Sequence, residues 1–245
     1  MADRKDLVDQ SEHILESDFT IGWLLNSLRE NDKIFQKEFG QHTVKNINFH
    51  NISEGKGLSS EIIQCTISFT DSNESYSTIL KIPTTKAIEA AKETMKKKGI
   101  DTKPDDKVVK GRLNMVIQIH NTECEFFQNL GPILDIPLPK IHKSIKWIMG
   151  AQKGIIHMED LSNRSKTTSI FTKYSLAQIK NMMKYMVKWH KNAFIHRDAW
   201  QGKYTTGQNT FINMVRAFDP MIDGLFATHP DKMGSFISKK KYNVY

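Results

Sequence analysis

A lysine inside an apolar strand, a glutamate on a half-apolar helix and two closely spaced glycines are the residues whose types and spacing suggest chemistry. Lys81 lies within Thr78-Ile79-Leu80-Lys81-Ile82, where an ammonium group must reach either solvent or a buried partner. The plainer reading is an edge-strand lysine facing water. Glu54-Gly55-Lys56-Gly57-Leu58-Ser59-Ser60 falls between two strand-like runs. Two glycines there let backbone N–H groups approach a chain of phosphates with no Cβ in the way, although the same pattern also serves as an ordinary hairpin turn. In Asn121-Thr122-Glu123-Cys124-Glu125-Phe126-Phe127, a helical repeat puts Leu113, Val116, Ile117, His120, Cys124 and Phe127 on one arc. Glu123 falls at the edge of that arc and Glu125 points nearly opposite. An arc packed on the sheet therefore brings Glu123, and not Glu125, to Lys81. Gly154-Ile155-Ile156-His157-Met158-Glu159-Asp160-Leu161 is an apolar strand ending in two acids. It suits a hinge whose backbone reads the edge of a purine base while Glu159 and Asp160 cap neighbouring turns, or it is simply the end of a strand.

These residues need elements to hold them. Ile14, Leu15, Trp23, Leu24, Leu28, Ile34 and Phe35 give the first forty residues helical faces, broken near 17–20. From Val44 the period changes to two: Ile47 and Phe49 alternate with polar residues, as do Ile63, Cys65, Ile67 and Phe69. Residues 71–75 are a polar turn into a third strand over 76–82, antiparallel to the second and ended by Pro83. The spacing then predicts a polar helix over 85–98, a loop over 101–106, and a longer helix over 109–130. Strands over 139–147 and 154–158 follow, separated by a turn at Met149-Gly150. Ser175-Leu176-Ala177-Gln178 has the form of a capping box for a helix striped with Leu176, Ile179, Met183, Met186, Val187 and His190. A last helix is expected over 208–226. The order is strands, helices, two strands, then helices alone, which predicts an α+β fold: an antiparallel sheet with a packed helix, followed by a helical region.

Composition sets the boundaries. Of 245 residues, 39% are hydrophobic and 25% charged, as in ordinary folded domains. The excess of 35 basic over 27 acidic residues is dispersed. The runs Lys96-Lys97-Lys98 and Lys239-Lys240-Lys241 are not interleaved with aromatics, so no nucleic-acid partner is expected. No apolar run reaches the roughly 18 residues that span a bilayer, and the opening six residues are too charged for a signal-peptide core. The expectation is a cytoplasmic protein without a membrane partner, whose Cys65 and Cys124 are buried free thiols.

Taken in order, Gly55-Lys56-Gly57-Leu58-Ser59-Ser60, Ile79-Leu80-Lys81-Ile82, Asn121 to Phe127, Ile136-Pro137-Leu138-Pro139-Lys140 and His157-Met158-Glu159-Asp160-Leu161-Ser162 resemble the ecdysteroid kinase-like proteins, also called choline kinase-like. The likeness is closest to the branch expanded in nematodes and runs from about Phe19 to Phe226. The resemblance implies a protein kinase-like fold, ATP with Mg2+ as cofactors, and phosphorylation of a hydroxyl on a small-molecule alcohol. It implies a division into a helical N-terminal extension (1–42), a kinase-like N-lobe with its hinge (43–161) and a partial helical C-lobe (162–245). Gly55, Gly57, Ser59, Lys81, Glu123, Met158, Glu159 and Asp160 would then be the nucleotide-binding residues.

His196-Arg197-Asp198 imitates the catalytic loop of such a kinase. A base of that kind needs a magnesium-binding asparagine five residues later, where this sequence has Lys203, a cation that repels a divalent ion. Asp223 falls in an amphipathic pattern and is a poor second ligand. No residue is therefore assigned as catalytic and none as a metal ligand. The sequence reaches Tyr245 before the motif and its asparagine occur, so the expectation is a truncated kinase-family chain that binds ATP without turning it over. The competing expectation is a pseudokinase-like binding or regulatory protein. The acceptor substrate and the oligomeric state are not legible.

Overall fold

The computed structural model describes residues 6–53, 59–86, 106–166, 168 and 172–203. The expected glycine turn with Gly55 and Gly57, most of the helix expected over 85–98, the helix expected over 208–226 and Asp223 all lie outside the described residues. The chain divides into two units, Met1–His196 and Arg197–Tyr245, and the first contains every element that bears on the site.

Two helices open that unit, α1 (Ile21–Asn31) and α2 (Lys33–Glu38). The Thr20 hydroxyl caps α1 by accepting the Trp23 N–H at 3.2 Å. Asp32, between the helices, accepts from the N–H groups of Ile34 and Phe35 at 3.0 and 3.2 Å, filling two donors that a helix start otherwise leaves unpaired. The residues before α1 are not helical, contrary to the expectation for the first forty. Asp9 takes the Ser11 N–H at 2.9 Å, Leu15 has φ of +51°, and His13 bridges to Thr20 as an isolated strand pair. Such local side-chain bonds compete with the helical ladder.

Among the described residues five strands form where strands were expected: β1 (Val44–Asn51), β2 (Ser60–Phe69), β3 (Ser75–Pro83), β4 (Ile141–Ile145) and β5 (Ile155–Glu159). They form one sheet in the order β1-β2-β3-β5-β4, and every pairing is antiparallel. The fold is thus α+β and compatible with a kinase N-lobe. The fourth strand is shorter than the 139–147 expected. Past Ile145 the chain makes a hairpin tip, closed by the Ile148 to Gln152 bridge, with Gly150 at φ of +76°, a conformation that favours a residue without Cβ.

One face of the sheet carries Ile63, Cys65, Ile67, Leu80 and Ile155. These form a single buried cluster with Leu24, Leu25 and Leu28 of α1 and Phe35 of α2. The residues expected to be an extension are thus built into the same core as the strands. Phe39 stacks on Phe69 with ring centroids 4.9 Å apart. Asp6 fixes the leading segment: its carboxylate receives Arg29 at 2.8 Å and the Val44 N–H at 3.2 Å.

The helix expected over 109–130 is α3 (Asp106–Glu125) followed by a π-turn (Phe126–Leu130) and α4 (Gly131–Leu134). Pro132 explains the change: lacking an N–H, it cannot donate to the carbonyl of Gln128, and its ring would collide with that carbonyl in a continuing α-helix. The ladder widens instead, with the Gly131 N–H reaching Phe126 O. Beyond β5 comes α5 (Leu176–Ile195). Its capping box forms as expected, with Ser175 Oγ receiving the Gln178 N–H at 3.2 Å and Gln178 Oε1 receiving the Ser175 N–H at 2.8 Å. Asn192 and Lys188 tie it to Leu134 O and Asp135 at 2.9 and 3.0 Å. Among the described residues its apolar stripe is uncovered, Leu176 being 66% and Val187 63% exposed.

Candidate functional site

The second face of the sheet differs because alternate residues of the same strands point to it. Lys81 stands there opposite Ile62 of β2 and Ile156 of β5. Lys81 Nζ donates to both carboxylate oxygens of Glu123, at 2.6 Å to Oε1 and 2.5 Å to Oε2. The helical arc seats the pair as expected: Val116, His120 and Cys124 are buried and turn Glu123 to the sheet. Glu125 points away and pairs with Lys146 at 2.6 Å. The side chains of Lys81 and Glu123 are 23% and 25% exposed, so the ammonium is clasped but still open to an anion in solvent. A charge pair in this half-open setting gains more from Coulomb attraction than one in bulk water.

Of the two acids at the end of this segment, Asp160, just past β5, bonds to side chains on the Lys81 face, whereas Glu159, the last residue of β5, is in phase with His157 on the other face. Asp160 Oδ2 accepts from Gln64 at 2.8 Å and from Ser77 at 2.5 Å, while its Oδ1 accepts the Ser162 N–H at 2.8 Å. Partial burial works to raise its pKa, and the bonds from Ser162, Ser77 and Gln64 together outweigh it and hold the carboxyl below its ordinary value. Glu159 receives the Lys140 N–H at 3.1 Å and Arg164 at 2.9 Å, so it too is lowered against the effect of burial. Both acids therefore cap neighbouring segments. The Glu159 N–H donates to Lys140 O at 2.8 Å, and Met158 O accepts the Thr78 hydroxyl at 2.9 Å. The N–H of Glu159 is thus committed within the fold. Ser59 stands before β2, its carbonyl accepting the Thr84 N–H at 3.0 Å. Lys81 and Glu123 are in contact, Met158 and Glu159 end β5 with Asp160 just past it, and Gly55 and Gly57 lie outside the described residues.

Sequence reasoning missed what fastens these groups. Gln64 and Ser77 hold Asp160; their sheet-face positions, in phase with Lys81, were the available signal. Asn121 makes two bonds to the backbone of Trp147, donating to its O at 3.0 Å and accepting its N–H at 2.8 Å. Also missed was a buried polar network behind the sheet. The Thr78 hydroxyl already donates to Met158 O, so it accepts from His157 Nε2 at 2.8 Å, and His157 Nδ1 accepts the Ser27 hydroxyl at 2.7 Å. That assigns a neutral ring, and burial, aided by neighbouring His142 and Lys143, pushes the pKa of His157 down to about 3. His142 lies 4.7 Å from it, ring to ring, and 3.4 Å from Asp32, which also accepts the Tyr76 hydroxyl.

A cavity of about 140 Å3 lies elsewhere, lined in part by Glu16, Glu61, Lys86, Trp147 and Lys153. Lys86 is shared between Glu16 and Glu61 at 2.7 and 3.2 Å, and Lys81 and Glu123 take no part in it. Among the described residues no group of three His, Cys, Asp or Glu could hold a metal ion, and no helix is long and apolar enough to cross a membrane. Cys65 and Cys124 are buried free thiols. In the second unit, Asp198 sits in the short helix α6 (Arg197–Trp200).

The model of the family DUF1679, described as uncharacterized oxidoreductase dhs-27, matches residues 28–218. No curated protein and no solved structure matches.

Proposed function

Starting from the finding that the chain belongs to the DUF1679 family, we propose that it is the ATP-binding portion of a phosphotransferase acting on a hydroxyl of a small-molecule alcohol, in the manner of choline and ecdysteroid kinase-like proteins. The Lys81–Glu123 ion pair carries this reading. A lysine on the third strand, oriented by a helical carboxylate, is the arrangement that neutralises nonbridging phosphate oxygens in kinases. The residues present fit a nucleotide's phosphates: an ammonium in a fixed place, partly open, on β3, which pairs with the strand that follows the glycine-bearing segment. ATP would supply the transferable phosphoryl group, while Lys81 binds and orients it and Glu123 holds Lys81. For Mg2+ the donor set among the described residues does not fit.

The oxidoreductase named in the family's description draws no support from the described residues. Dinucleotide-binding folds are built on parallel strands joined by crossover helices, and all four strand pairings here are antiparallel. One observation favours a second reading, a pseudokinase-like binding protein that keeps the nucleotide lobe and has no turnover. Were His196-Arg197-Asp198 the catalytic loop and not an imitation of it, Lys203, five residues after Asp198, would hold the place of its metal ligand.

Thermal melting with and without MgATP tests the proposal. A ligand that binds only the folded state raises its stability by about 2.7 kcal/mol at a hundred times its Kd, so a rise in Tm with millimolar MgATP is expected, and its loss in Lys81→Ala. No shift in the unsubstituted protein overturns ATP binding. Phosphate released or transferred by a chain that binds MgATP would favour the phosphotransferase over the pseudokinase.

A further inference from the structure

The carboxylate of Glu123 is only as well placed as the helix that carries it, and α3 is fastened at an unexpected place. Besides the Glu123–Lys81 pair, the polar ties of α3 and of the π-turn that follows it run to residues 144–147, at the far edge of the sheet. Asn121 grips both backbone groups of Trp147. His120 Nε2 donates to Ile145 O at 2.8 Å. Glu125 holds Lys146 at 2.6 Å, and Gln128 bonds Ser144 at 2.8 Å. With a rise of about 1.5 Å per residue, the Asn121 and Glu125 anchors bracket Glu123 by about 3 Å on each side along the axis. A one-residue slip would turn the carboxylate about 100° away from Lys81.

The Asn121 contact is the most exacting of these. A side-chain amide that donates to and accepts from the same residue's backbone copies a strand pairing, and it fixes rotation as well as height because both bonds must point correctly. His120 adds a steric key. A Cβ built on Gly154 would lie 2.3 Å from His120 Nε2, so the ring fills the place where any other residue at 154 would carry its side chain. The His120 ring is buried, its Nδ1 has no partner among the described residues, and burial keeps its pKa below the ordinary value, which suits a neutral donor to Ile145 O.

We propose that Asn121 and His120 are positioning residues that lock α3 to the β4–β5 hairpin and so hold Glu123 on Lys81 before any nucleotide arrives. The inference deepens the nucleotide-binding reading and rests on it for its functional meaning. The clasp itself is a property of the unliganded chain and is tested there.

The readout is the 15N–1H signal of the Lys81 side-chain ammonium, assigned by its disappearance in Lys81→Arg and compared with its position in Glu123→Gln. Asn121→Ala is expected to move or broaden the signal toward that of Glu123→Gln. Asn121→Asp, which keeps acceptance from the Trp147 N–H and loses the donation, is expected to give an intermediate shift and covers the case in which Asn121→Ala does not fold. Leu28→Ala weakens the other layer of the fold and should leave the signal in place, separating positioning from loss of stability. A Lys81 signal unmoved in both Asn121 variants overturns the proposal, as does an equal shift in Leu28→Ala. MgATP titration is the second arm: Asn121→Ala should weaken binding by roughly ten-fold, the equivalent of one lost hydrogen-bonded contact. If the unsubstituted protein binds no MgATP, the nucleotide reading fails and the ammonium signal alone decides the clasp.

Discussion

The two faces of the sheet are made by the same strands and put to opposite uses. Toward α1 and α2, the alternate residues Ile63, Cys65, Ile67 and Leu80 are sealed, and the polar groups on that side include Ser27, Thr78 and His157, which are paired with one another. Toward α3, the intervening positions carry Gln64, Ser77 and Lys81, whose partners are charged and partly open to water. A strand's period of two lets a single segment serve as core and as candidate site. The cost is that a one-residue slip in register would exchange the two.

The sharpest break in that contrast is on the sealed side. Leu28→Ala should lower stability by about 2–5 kcal/mol in urea unfolding, the range for a cavity in a packed core, while MgATP still raises the melting temperature. Next comes acid. The unfolded chain protonates His157 near its ordinary 6.5, whereas the folded protein resists until about 3. Stability is therefore complete above about 6.5 and lost as pH falls toward about 3, with a slope of at most about 1.4 kcal/mol per pH unit for this one group. His142, also lowered by burial, acts in the same direction. Melting curves across that window should show the slope, and His157→Gln should flatten it. The smallest effect is expected from Glu125→Gln, which breaks the exposed pair with Lys146; a surface ion pair is worth about 0–1 kcal/mol. A cost there as large as that of Leu28→Ala would remove the distinction between the faces.

Local periodicity made much of this readable. The alternation at Ile47 and Phe49 and at Ile63 to Phe69 marked the strands, and the position of Glu123 at the rim of its arc told it from Glu125. Partners far apart in the chain were not readable. Nothing near Ser27 announces His157, 130 residues on, and nothing near Asn121 announces the backbone of Trp147. Residues 6–20 misled because their apolar spacing suits a helix, while Asp9 and Ser11 bond locally and Leu15 takes a left-handed turn. The stripe on α5 foretold a helix correctly, although periodicity names no partner and the described residues supply no cover for it.

The widened turn at Phe126–Leu130 also sets an angle. A five-residue hydrogen-bonded loop holds one residue more than its four-residue counterpart, so the short helix that continues it is rotated by about 100° from where an unbroken spiral would put it. Leu134 and Asp135, which receive Asn192 and Lys188, lie just past that offset, and Asp135 turns further through a left-handed conformation with φ of +51°. Deleting a single residue between 126 and 130 would spin those two acceptors off their partners while leaving Glu123, upstream of the offset, where it was.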